Sequence, residues 1–100
     1  MTIHAADAEL EAMADEELER ALSLSWKELN KVTPWGDTAE AFAPTGRAVM
    51  VERNYLWAEA PGGDILVEVV VYPNAVLYDE GARRSRRLAK PFPSAARRAT

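Results

Sequence analysis

Residues 47–72 read RAVMVERNYLWAEAPGGDILVEVVVY, from Arg47 to Tyr72, and this stretch decides the fold. Its first half, residues 47–59, alternates: Val49, Val51, Tyr55 and Trp57 fall to one side of an extended chain. Its second half, residues 65–72, places Ile65, Val67, Val69 and Val71 on one face and Leu66, Val70 and Tyr72 on the other. Between them stands Pro61-Gly62-Gly63-Asp64. Glycine supplies the positive φ that a tight reversal demands, so the two halves are expected to be antiparallel neighbours. The second half is apolar on both faces apart from Glu68, which predicts a central strand covered on two sides.

Upstream of this hairpin the apolar period changes. Leu10, Ala14, Leu18, Leu22, Ser25, Leu29 and Val32 form a stripe at helical spacing. Asp7 is a plausible cap, acids crowd the first turns, and Lys27 and Lys31 sit near the end, as the helix dipole favours. The reading is one helix over about residues 7–32, ended by Pro34. Unbroken, it would be about 39 Å long. Asp15 offers an alternative cap that would break it near Met13. Residues 33–37, with Pro34, Trp35 and Gly36, read as a turn, and residues 39–43 as a short strand.

Downstream, Pro73 kinks or ends the central strand, and residues 75–78 read as a further short strand. Residues 82–90 fit either an edge strand paired with 75–78 or a short helix; the edge strand is preferred, because charged edges resist unwanted pairing. The expected architecture is therefore α+β: one N-terminal amphipathic helix packed on an antiparallel β-meander of three to five strands. Residues 1–90 form a single domain and residues 91–100 a basic tail.

Charge is the second informative feature. Of the 12 Lys and Arg in the chain, seven fall in residues 82–100, which hold no acid. The first forty residues are strongly acidic, so the net charge of −4 conceals a dipole along the chain. Glu9, Glu11, Asp15, Glu16, Glu17 and Glu19 lie off the apolar stripe as a candidate acidic binding face; closely spaced carboxylates there could imitate nucleic-acid phosphates. Arg83, Arg84, Arg86, Arg87 and Lys90 form a candidate basic site, sufficient in number for phosphate contacts but without interleaved aromatics for base stacking. Pairing of these arginines with acids of the same molecule is the plainer alternative. Trp35 is a candidate hot spot, although a tryptophan in such a turn more often folds back to plug the helix-to-sheet junction.

Catalytic patterns are not evident. His4 is the one histidine, cysteine is absent, and there is no phosphate loop, dinucleotide fingerprint or nucleophile elbow. No metal site or cofactor is expected, and no apolar run approaches a membrane span. The N-terminus lacks the pattern of a signal or transit peptide, which predicts a cytoplasmic protein. The functional expectation is a small non-enzymatic interaction protein of bacterial or phage type. It would act as an inhibitor or regulator that binds a larger protein or nucleoprotein complex through charged surfaces. The alternative is a nucleic-acid-binding regulator that uses the arginine cluster. A homo-oligomer is compatible with either, and a membrane partner is not expected.

Overall fold

A computed structural model of the 100-residue chain describes residues 8–73 and 81–91. Two helices, α1 (Ala8–Leu22) and α2 (Trp26–Asn30), precede four strands: β1 (Gly36–Phe42), β2 (Ala48–Trp57), β3 (Ile65–Pro73) and β4 (Ala82–Leu88). The strands form one open antiparallel sheet in the order β1-β2-β3-β4, an α+β meander with the N-terminal helix on one face. No helix among the described residues is long and apolar enough to cross a membrane.

The helical stripe holds through Leu10, Ala14 and Leu18, all buried, and then fails. Leu22 is only half-buried, Ser25 is exposed and Val32 is 39% exposed. The expected single helix breaks at residues 23–25. Ser25 opens α2 with a reciprocal cap: its hydroxyl accepts from the Glu28 backbone N–H at 3.2 Å, and the Glu28 carboxylate accepts from the Ser25 N–H at 2.9 Å. Two otherwise orphaned donors are thereby satisfied, and this local gain outweighs helix continuity. The chain is redirected there, so Leu29 still reaches the core, fully buried. The alternative break near Met13 does not occur, since Met13 and Asp15 lie inside α1.

The hairpin of β2 and β3 is as expected, in register from Val49 opposite Pro73 to Trp57 opposite Ile65. Gly62 has φ +85°, the conformation required after Pro61 in a type II turn, and Gly63 N–H donates to Ala60 O at 3.0 Å. β1 begins at Gly36 rather than at 39. A Cβ at Gly36 would lie 2.4 Å from the Arg53 carbonyl oxygen, so this close approach admits only glycine. The peptide bond between Thr33 and Pro34 is cis.

β4 is the strand anticipated from its arginines, and among the described residues it pairs with β3; Val71 lies opposite Ala82 and Ile65 opposite Leu88. The strand expected at 75–78 lies outside the described residues, as do Asp7, His4 and the tail from residue 92. β3 is central, as predicted, with Val67, Val69 and Val71 fully buried beneath α1. Only one face of the sheet carries a helix among the described residues. On the other face Val70 is 1% exposed, with Glu52 and Arg83 opposite it in register.

Candidate interaction surface

The acidic and basic clusters meet each other. α1 lies over β3 and β4, which brings its acids beside the arginines of β4. Arg84 Nε donates to Asp15 at 2.7 Å, and its Nη2 lies 3.8 Å from Glu11. On the opposite sheet face Arg83 donates to Glu68 at 2.6 Å. Arg87 donates to Asp64 at 2.9 Å and lies 3.4 Å from Glu59. Its guanidinium is held protonated even more firmly than usual, chiefly by that Asp64 bond. Lys90 gives its backbone N–H to Asp64, and its ammonium lies 5.7 Å from the Trp26 ring centroid, a cation–π approach. Within the basic candidate set Arg86 is exposed with no ion pair among the described residues.

The acidic set divides in the same way. Glu9 clasps the β1–β2 connection: its carboxylate accepts from the Thr45 backbone N–H at 2.9 Å, the Thr45 hydroxyl at 3.1 Å and Arg47 at 3.1 Å. The Thr45 N–H is the main reason its carboxyl titrates below the usual range. Glu17 turns inward to Arg53, 3.6 Å away, and also pairs with Arg20. Glu16 and Glu19 remain exposed without an ion pair among the described residues. The charge asymmetry seen along the sequence is therefore largely folded into contacts within one molecule.

Apolar surface is exposed elsewhere. Trp35 is 70% exposed and Phe42 74%, at opposite ends of edge strand β1; Leu24, Val32 and Leu56 are each close to 40%. The expected folding-back of Trp35 as a plug does not occur. Its backbone is fixed on both sides, N–H to Val32 O at 2.7 Å and C=O accepting from Tyr55 N–H at 2.9 Å, while its side chain remains in solvent. Thr33 is instead the buried residue of this turn, its hydroxyl bonded to Leu29 O at 2.8 Å.

Near the end of α1 a shallow cleft of about 270 Å³ is lined by Glu17, Arg20, Ala21, Ser23, Leu24, Arg53 and Tyr55. Arg53 is clamped by Asp37 through two bonds of 3.0 Å, which raises its affinity for the proton. Burial pushes the Tyr55 phenol up, away from ionisation. Glu17 Oε1 is buried and accepts no hydrogen bond among the described residues. The cleft thus holds the Glu17 carboxylate between Arg20 and Arg53, with the Tyr55 phenol beside them. Among the described residues no three His, Cys, Asp or Glu side chains converge as metal ligands.

Composition flagged Trp35, but neither Phe42 nor the β1 edge was singled out in the sequence. An exposed Phe at the end of a short strand is indistinguishable there from a core residue. No protein-family model, curated protein or solved structure matches the chain.

Proposed function

We propose that this chain is a small non-enzymatic interaction protein that docks onto another protein through the outer edge of β1 and the two aromatics flanking it, Trp35 and Phe42. One observation carries the reading. Among the described residues the two largest exposed apolar side chains bracket an edge strand whose every residue except Ala41 is exposed. Such an edge offers backbone hydrogen bonds to an added strand, while large aromatics beside it supply the desolvated anchors typical of hot spots. The internal pairing of the charges supports the same reading, because it reduces what either charged face can offer a partner. A role as an inhibitor or regulator of a larger bacterial assembly fits a domain of this size.

The experiment is affinity capture from a bacterial lysate with and without nuclease, comparing the parent with Trp35→Ser/Phe42→Ser and with the alanine variant of Arg83, Arg84, Arg86 and Arg87. The expected result is a nuclease-resistant protein partner, lost in the aromatic variant and retained in the arginine variant. Capture that nuclease or the arginine substitutions abolish would transfer the function to nucleic acid.

A further inference from the structure

Trp35 and the cleft at the end of α1 belong to one surface. Tyr55 lines the cleft, and its backbone N–H donates to Trp35 O at 2.9 Å. With Gly36 opposite Asn54, Trp35 stands opposite Tyr55, one step beyond β1. Residues opposed across antiparallel strands project from the same face, so the exposed indole stands beside the cleft. Resting on the reading of Trp35 as an anchor, we infer what receives it: the cleft of a second copy of this chain, each copy inserting its Trp35 into the other about a two-fold axis.

Size and chemistry both suit an indole. The cleft, about 270 Å³, is smaller than the roughly 300–1,000 Å³ of sites for drug-sized ligands and fits one large side chain. Ala21 and Leu24 give it apolar walls. Asp37 grips Arg53 edge-on, through Nε and Nη2, and so does not cover the guanidinium plane. Arg20 has 63% of its side chain exposed. Guanidinium planes stack on aromatic rings. An indole also brings one N–H that needs an acceptor. The Tyr55 phenol oxygen makes no hydrogen bond among the described residues and can take it. Charge favours a neutral ring. Glu17 and Asp37 already contact Arg20 and Arg53, two charges of each sign, and a carboxylate or ammonium ligand would add one without a partner.

A second copy supplies ring and receptor together. Trp26 and Trp57 are half-buried, and Trp26 Nε1 already donates to Gly63 O at 2.9 Å. Trp35 is the exposed indole among the described residues. Its backbone is tied at both N–H and C=O, so the ring is presented with little ordering left to do. Because ring and cleft lie side by side, one two-fold axis between them places both rings in both clefts, and the exchange closes instead of propagating. The remaining charges agree. Lys31, in the turn that leads to Trp35, is exposed. Glu16 and Glu19 line an adjoining hollow that shares Arg20 and Ser23 with the cleft. None of these three has an ion pair among the described residues, and the exchange brings the lysine of one copy toward the acids of the other.

The area fits a weak, reversible dimer. Two indoles of roughly 250 Å² each, about 70% exposed, together with the walls that receive them bury on the order of 700 Å². Leu24 and Val32, each near 40% exposed, bring the total near the ~1,000 Å² at which specific interfaces begin.

Complementation between two variants of the full chain tests the exchange. Trp35→Ser removes the ring and keeps the cleft; Leu24→Arg blocks the cleft and keeps the ring. Both positions are exposed, so both variants should fold, as an unchanged circular dichroism spectrum would show. In sedimentation equilibrium the parent should rise from 11.1 kDa toward twice that mass between ~10 µM and ~0.5 mM. Either variant alone should stay monomeric over this range, since its own dimer would hold no intact contact. An equimolar mixture should regain association, with a dissociation constant at least ~10-fold below that of either variant alone, because the heterodimer keeps one ring in one cleft. A parent that is monomeric at ~0.5 mM, or a mixture no better than its components, would overturn the exchange; the second result is what simple stacking of Trp35 on Trp35 would give. Lysate capture reads the docking proposal separately. Capture that depends on Trp35 and Phe42, without complementation, would leave the docking proposal standing and remove this occupant. Complementation with capture indifferent to both aromatics would keep the dimer and overturn docking onto another protein.

Discussion

Two leucines and two carboxylates show what single residues contribute. Leu10 is fully buried in α1, whereas Leu22, on the same stripe, is half-buried beside the break. Truncation therefore separates them: Leu10→Ala should cost about 2–5 kcal/mol, through lost burial and the cavity left behind. Leu22→Ala should cost about half of that or less. Urea unfolding of both variants checks the ordering, and a larger loss at Leu22 would mean the break is misplaced. Glu9 and Asp64 give a pH signature. The Thr45 N–H holds the Glu9 carboxyl down, and the Lys90 N–H, with Arg87, does the same for Asp64. A carboxyl depressed in the folded state contributes stability that is present above its unfolded pKa and is lost as pH falls through the folded value. The urea midpoint should accordingly hold near neutrality and decline below about pH 4. Glu9→Gln/Asp64→Asn should start from a lower plateau and decline less steeply. An acid limb of unchanged slope would show that other groups govern it.

At the scale of elements, the short bend between α1 and α2 rests on the Ser25–Glu28 box. Ser25→Ala removes one of its two reciprocal bonds and should cost about 0.5–2 kcal/mol, read as a shift in the thermal midpoint. Ser23→Ala, whose hydroxyl only returns to the Arg20 carbonyl of its own chain turn, should cost less. The break was legible in principle, as a serine followed three residues later by a glutamate, yet the apolar period runs through it and the longer pattern prevailed in the reading. The β2–β3 hairpin was fully legible, because alternation and a Pro-Gly turn are local signals. The pairing of β4 with β3 was not: it gives seven opposed pairs, Ile65 with Leu88 through Val71 with Ala82, which nothing local in the sequence specified. Strand pairing is set by packing over distance, and one sequence carries little of that. The exposure of Trp35 and Phe42 belongs to the same kind of information, since it depends on where α1 comes to rest.

For the molecule as a whole, the dipole along the chain largely closes on itself when the acidic helix settles beside the basic strand. The clusters were visible in the sequence; their mutual contact, across 69 positions in the case of Arg84 and Asp15, was one of several readings open there. Most of these pairs are solvent-exposed, so each is worth roughly 0–1 kcal/mol. Replacing Arg83, Arg84, Arg86 and Arg87 with alanine should leave a folded protein. The consequence for nucleic acid is sharper. Binding would require these arginines to exchange carboxylates already in place for phosphates, while the acids so released would repel the same backbone. Counterion release rewards each phosphate contact, with a slope of about −0.9 in log affinity against log salt on duplex DNA. With Arg86 as the cluster's one arginine outside an ion pair among the described residues, little of that reward is accessible. The intact protein should therefore leave random duplex DNA unretarded in a mobility-shift assay at about 150 mM salt, where charge acts over ~8 Å. A retarded band at micromolar protein, removed by the four-arginine variant, would mean that the internal pairs open in favour of phosphate, and the basic strand would replace the β1 edge as the principal binding surface.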